Sequence, residues 1–284
     1  MRVTFDSNSW QPVIFPDKFA KDSRYADFLK IERAVRDGRI RGFISETVAT
    51  LEAIKKVDRV SYFGGSVPKI DFHEEMVGNQ IRIRVTMGPD NSRHPGLPGV
   101  LSDRLRAALA LGIRLLRAPR LALARPAELR GSNLFAEETV EAEIAARNER
   151  SGEAVRAIEA RGIGLAAARA ISERIKIRLG LSVPSNWAWS QYLARAADPG
   201  EELEIAKSIA EWADGDAVAS HLAYRNDFFC TEDKGKSVGF PSVLDATNRA
   251  WLEATYGIKF VTVSGLAAMI SSESLSLSSL VKQP

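Results

Sequence analysis

The chain contains one cysteine, Cys230, in 284 residues, so no intrachain disulfide can form. Cys230 sits in a short apolar run, where a free thiol behaves as a small buried hydrophobe. Histidine is almost as scarce, with His73, His94 and His221 only. None has a Ser or Cys arrangement around it that points to nucleophilic catalysis. His73 has no second His or Cys at metal-ligand spacing, so Asp71–Glu75 reads as a surface loop. No uninterrupted apolar run reaches membrane-spanning length, and the first residues, MRVTFDSNSW, lack the basic-then-apolar pattern of a secretory signal. The expectation is a cytoplasmic protein with no membrane partner. Net charge is +3, too small to name a partner. Hydrophobic residues make up 45% and charged residues 26%, the composition of an ordinary globular domain large enough for one substantial core and a second subdomain.

Acidic residues at element boundaries carry most of the information. The stretch Asp214–Gly235 reads DGDAVASHLAYRNDFFCTEDKG: acids, a small-residue helix, an Asn-Asp turn, a buried strand, then Thr231-Glu232-Asp233. A helix opening on an acid and a parallel strand ending in one place both carboxylates at the carboxyl edge of a sheet, where open α/β sheets bind ligands. The bland reading makes Asp214 or Asp216 an N-cap and Asp233 a turn residue.

Similar grammar occurs near the start. Arg2–Phe5 reads as a strand ending in Asp6-Ser7-Asn8, followed by a helix over Phe19–Asp37. Gly42–Ile44 leads to Ser45, a plausible N-cap, and a helix over Glu46–Lys56 that carries Glu52. Glu46 would lie in its first turn, where the helix dipole favours a carboxylate. Between Ser61 and Pro199 the pattern changes. Gln80–Met87 alternates as a half-exposed strand, Leu101–Leu116 is an amphipathic helix, and Ala136–Ala160, Leu165–Leu179 and Asn186–Ala197 read as helices. Glu201–Ala213 is a helix delivering the chain to Asp214. Ser242–Tyr256 is helical, Lys259–Val263 is a strand, and Gly265–Ile270 is a short helix.

Taken together, strand-Asp6-x-Asn8, Ile44-Ser45-Glu46 at a helix start, Asp216 before a small-residue helix and strand-Thr231-x-Asp233 resemble the PIN-domain nucleases. The likeness covers about Met1–Gly65 and Glu201–Gly265. It implies a three-layer α/β/α fold with a central parallel sheet, formed by residues 1–65 and 200–270. Residues 66–199 would be a mainly helical insertion, and 271–284 a loosely ordered tail. It also implies hydrolysis of RNA phosphodiester bonds with Mg²⁺ or Mn²⁺ held by Asp6, Glu46, Asp216 and Asp233. Asp214 stands as a substitute for Asp216, or as a cap, while Asn8 and Thr231 support the carboxylates. Hard divalent cations suit such oxygen donors. The insertion is longer than in compact members of the family, and Lys234-Gly235 stands where many have a further acid. The same site would also serve DNA cleavage. In a third reading, a catalytically weak module offers its insertion to protein or RNA. A toxin paired with an antitoxin is one form of the first reading.

A basic stretch completes the sequence-level candidates. Gly78–Arg130 holds ten arginines and no lysine against three acids. Arg106, Arg114 and Arg117 fall off the apolar face of the expected helix and are candidate phosphate contacts. A solvated face paired to Glu137, Glu138, Glu141 and Glu143 is the alternative. Trp187 and Trp189 are candidates for base stacking or for packing.

Overall fold

The computed structural model describes residues 1–64, 68–78, 80–89, 96–119, 129, 132–136, 140–180, 189–235 and 241–280. In chain order the elements are β1 (Arg2–Phe5), α1 (Ser7–Ile14), α2 (Tyr25–Arg36), β2 (Arg41–Ser45), α3 (Lys56–Gly64), β3 (Pro68–Val77), β4 (Gln80–Pro89), α4 (Gly99–Ala110) and β5 (Arg114–Leu116). They continue with α5 (Glu141–Ala160), α6 (Leu165–Arg178), α7 (Pro199–Ala223), β6 (Phe228–Cys230), α8 (Ala246–Tyr256), β7 (Phe260–Val261) and α9 (Val263–Leu280). The described part of the predicted Asn186–Ala197 helix is a 3-10 segment, Trp189–Arg195. His94, Trp187, Glu137 and Glu138 lie outside the described residues.

Five strands form one parallel sheet in the order β5-β2-β1-β6-β7. Parallel neighbours require crossover connections, so helices cover both faces. The strands are short and apolar, as expected of strands buried from both sides. β1 shows how the faces divide. Val3 and Phe5 enter the core formed with Trp10 and Val13 of α1, Phe28 and Ile31 of α2, and Leu266 of α9. Thr4 alternates to the other face, where its hydroxyl meets His221 Nδ1 of α7 at 2.9 Å and accepts from Asn226 Nδ2 at 2.8 Å. On that side α7 is the central helix, and most of its length is buried. Ile205, Ile209 and Trp212 pack with α3 and α6, and Ala217 and Val218 with Phe229, Ile158 and Leu252.

An α/β sheet flanked by helices therefore matches the expected class, but several boundaries differ. The predicted helix over Leu101–Leu116 stops at Ala110 and is followed by Gly112 at φ +98°. The chain then enters the sheet as β5 beside β2. Short apolar runs are ambiguous between buried strand and buried helix, and here the glycine decides. Residues 66–199 are thus not wholly an insertion outside the sheet, because they supply an edge strand. The alternating segment Gln80–Met87 lies within β4, which pairs antiparallel with β3 as a separate ribbon. Glu46 opens only a 3-10 turn, Glu46–Ala49, with the Ser45 hydroxyl accepting from Thr47 N as its cap. The helix expected to begin near Asp214 does not begin there. α7 is continuous from Pro199, capped by Asp198. At the C-terminus, α9 extends to Leu280 where a short helix and a loose tail were expected.

Candidate functional site

Between β1 and β6 the sheet order reverses direction. From β1 the chain builds outward through β2 to β5, then returns to β1's other side with β6 and β7. Crevices at such switch points, at the carboxyl ends of the strands, are where this architecture binds ligands. Asp6 ends β1 there, and Thr231 and Asp233 follow β6.

The two strand ends are joined by side chains as well as by the ladder. Thr231 Oγ1 donates to Asp6 Oδ2 at 2.6 Å, and Ser7 N donates to Asp6 Oδ1 at 2.7 Å, which makes Asp6 the N-cap of α1. Asn8 Oδ1 accepts from Glu232 N at 3.0 Å and holds the β6 exit against α1. Asp233 is exposed, its Oδ1 accepting from Gly235 N at 2.8 Å. The main chain of the same loop is held by Arg249, whose guanidinium donates to Asp233 O. Burial raises the Asp6 carboxyl above the ordinary range. The Thr231 hydroxyl and the Ser7 amide oppose that rise, and the charge of Asp233 adds to it.

The charge of Asp6 acts on Asp214, the sequence alternative to Asp216, and on Glu52, which the sequence reading did not single out. Asp214, half-buried on α7, is held well above the ordinary carboxylate range, by burial first and then by Asp6, Glu52, Glu211 and Asp233. Glu52 is pushed up to about 7, by burial and then by the charge of Asp6, with Arg59 and a hydrogen bond to Ser7 acting the other way. Glu211, one helical turn before Asp214, is also pushed up to about 7, chiefly by burial. Arg59 is the buried cation beside this group. Its guanidinium donates to Ile54 O at 3.2 Å and Ala206 O at 3.0 Å, and its charge faces Glu52 and Asp214.

Two predicted ligands point elsewhere. Glu46 is fully buried, and its Oε1 accepts from Ala118 N at 2.8 Å, tying the end of β2 to the chain leaving β5. Asp216 is also buried, and its Oδ2 accepts from Trp212 Nε1 at 2.9 Å. Residues two apart on a helix are separated by about 200° (3.6 residues per turn), so Asp214 and Asp216 face opposite ways. Neither is an N-cap, since both lie inside α7. The 3-10 turn at Glu46 explains the other exchange: with no α-helix there, the chain loops and Glu52 reaches Ser7 instead.

The candidate arginines are dispersed. Arg106 is exposed on α4 and paired with Asp103 at 3.1 Å. Arg114 opens β5 and donates to Leu109 O and Ile113 O, both at 3.0 Å. Arg117 follows β5 and stacks over the Phe135 ring at 4.1 Å. Trp189 is a packing residue, its ring edge-on to Trp212.

Among the described residues, no three of His, Cys, Asp and Glu are gathered as a ready-made ligand set for a metal ion. The donor chemistry nevertheless fits a hard divalent cation: carboxylate oxygens of Asp6, Glu52, Asp214 and Asp233 with few opposing cations. No family model matches the chain, and comparisons with curated proteins and with solved structures also find no match.

Proposed function

We propose that the chain is a metal-dependent endoribonuclease of PIN type, acting at the carboxyl edge of its sheet through Asp6, Glu52, Asp214 and Asp233. The observation that carries this reading is the Asp6–Thr231 contact at the switch point, with the charge of Asp6 acting on both Asp214 and Glu52. Carboxylates that outnumber the cations beside them, here Arg59 and Arg249, cost stability, and protein sites keep such arrangements where function uses them. Asp6, Asp214 and Asp233 would hold a Mg²⁺ or Mn²⁺ ion, with Glu52 and Glu211 adjacent. Such an ion, when bound, supplies an activated water and neutralises charge on the leaving oxygen. The chain's own contribution is orientation. Thr231 and Ser7 fix the Asp6 oxygens, Asn8 fixes the β6 exit, and Gly235 fixes the Asp233 carboxylate. With a pKa of about 7, Glu52 can take or release a proton near neutrality. A toxin role with an antitoxin partner belongs to the same proposal.

The test is incubation with labelled RNA, single-stranded DNA and duplex DNA in Mg²⁺, Mn²⁺ or chelator. Internal cleavage of RNA that stops in chelator and in Asp214→Asn is expected. Cleavage of DNA alone would move the proposal to a DNA-directed enzyme. Absence of any cleavage would leave a binding module.

A further inference from the structure

A second charged site lies at the opposite, amino edge of the sheet. There Arg2 of β1, Arg147 and Arg150 of α5, and Arg225 just after α7 line one open cavity of about 510 Å³, together with Tyr224; Glu143 is its acidic lining residue. We propose that this cavity binds a polyphosphate group, carried either by a free nucleotide or by the 5′ end of an RNA.

Four arginines from three elements far apart in sequence line the cavity, and the charges of Arg225 and Arg147 act directly on Arg150. Such convergence has an unfavourable self-energy unless an anion is present. Arg150 is held below the usual guanidinium range by burial, and next by Arg225 and Arg147. Arg2 is lowered by burial and next by Arg41. Part of the cluster has a structural task, because cations favour a helix C-terminus. Arg150 grips Ala223 O with Nε at 3.0 Å and Nη2 at 2.8 Å, and Arg2 Nε donates to Asn226 Oδ1 at 3.0 Å. Among the described residues, however, no carboxylate lies within ion-pair distance of Arg2, Arg150 or Arg225. Capping does not account for Arg225, which is exposed and makes no hydrogen bond to α7 through its side chain.

The backbone at Arg225 gives an independent reason. It is the non-glycine residue with positive φ, +50°, among the described residues. It follows the C-cap of α7, where glycine is the usual occupant because a side chain is strained there. Retaining arginine at a position that favours glycine places a charge at the cavity at a cost in stability, and strain of this kind collects at ligand sites. The cavity is also of small-ligand size rather than an extended groove. Planar guanidiniums bind phosphate oxygens in pairs, and four of them suit more than one phosphate. β1 runs from this edge to the acidic one and α7 runs back, a separation of about 13 Å along β1 (four residues at about 3.3 Å). The cavity is therefore distinct from the carboxylate site and does not depend on the proposed nuclease reading.

The test is calorimetric titration with inorganic tripolyphosphate, a nucleoside triphosphate, and matched RNA oligomers bearing a 5′-triphosphate or a 5′-hydroxyl. All titrations are made in chelator and at fixed ionic strength, so that no metal can bridge phosphate to the acidic edge. Tripolyphosphate should bind well above sulfate. Arg225→Gly, which relieves the backbone and should melt no lower than the parent, should weaken binding on the order of tenfold, the loss of one charge-assisted contact. Arg147→Gln should do the same, and Asp214→Asn should leave binding intact. The nucleotide and 5′-triphosphate RNA arms identify the carrier. Equal binding of the two RNAs with tight binding of the nucleotide would make the free nucleotide the carrier, whereas equal binding of sulfate and tripolyphosphate, or unchanged affinity in both arginine variants, would overturn the proposal.

Discussion

The hydroxyl of Thr231 donates to Oδ2 of Asp6 at 2.6 Å, joining residues 225 positions apart at the point where the sheet reverses its strand order. The bond leaves the Asp6 carboxylate in one orientation, with Ser7 N on its other oxygen. Asp6 is thus both the cap of α1 and the centre of the acidic group. Replacing Thr231 by Val keeps the shape and removes the donor. Cleavage should fall in Thr231→Val while the protein loses about 1 kcal/mol of stability, read as a lower melting temperature. Equal activity in the two proteins would show that the orientation of Asp6 is immaterial.

Asp214 and Asp216 should separate cleanly. Asp214→Asn removes a like charge from the acidic group, so the metal-free protein should melt at or above the parent temperature while cleavage falls steeply. Asp216→Ala removes the acceptor of Trp212 Nε1. Leaving that buried donor unpaired costs about 1–3 kcal/mol, and activity per folded molecule should persist. Thermal melts and single-turnover cleavage, measured on both variants, check this. The opposite pattern would return Asp216 to the site.

The raised pKa of Glu52 sets a pH dependence. Its ordinary value is 4.5 and its folded value about 7. Between those values the folded state binds more protons than the unfolded one, so this group's contribution to stability is present below pH 4.5 and lost as pH rises through about 7. His221 acts oppositely. Burial lowers it from 6.5 to about 3, so it destabilises the fold as pH falls through that window. Comparing Glu52→Gln with the parent in chelator isolates the Glu52 part. The variant's advantage in melting temperature should be near zero at pH 4.5 and grow towards pH 7.5. A pH-independent difference would show Glu52 to be open to solvent and away from the charge of Asp6.

Gly235 supports the Asp233 loop. It has φ +58°, and a Cβ there would stand 2.3 Å from Asp245 N and 2.6 Å from Asp245 Cα, both backbone atoms. Gly235→Ala should therefore cost on the order of 1–3 kcal/mol and displace the Asp233 carboxylate that Gly235 N holds. Lower melting temperature and weaker Mn²⁺ binding by titration calorimetry are the expected readings.

Cys230 is fully buried, and burial raises its thiol pKa far above the ordinary range. Cys230→Ser should cost about 1–3 kcal/mol through a hydroxyl in an apolar strand, with cleavage per folded molecule retained. In the native protein the thiol should resist alkylation until denaturant is added. Rapid modification under native conditions would show a more open β6.

Asp6, Asn8, Thr231 and Asp233 were legible because they follow strands, and a short apolar run ending in a polar triplet is a local signal. Glu52 was not, and Asp214 stood only as the alternative to Asp216, since each depends on a helix boundary. Small residues after Asp214 suggested a new helix, yet α7 runs through, as close packing against the sheet and α5 also demands small side chains. One available signal was missed: Glu211 and Asp214, three apart, share a helical face, whereas Asp214 and Asp216 do not. The arginine cavity had no sequence signature, because residues 2, 147, 150 and 225 meet only through tertiary packing. The arginine-rich stretch drew attention by density, and density along the chain says little about convergence in space.

The distance in sequence between Asp6 and Thr231 also bears on the order in which the molecule can be made. At translation rates of about 5–20 residues per second, roughly 10–45 s separate the synthesis of these two residues. Throughout that interval β1 lacks its β6 neighbour, Asp6 lacks its hydroxyl donor, and Asp214 and Asp233 have yet to emerge. The acidic edge therefore cannot assemble until β6 and the loop carrying Asp233 have emerged, and on the proposed reading the activity waits for the same event.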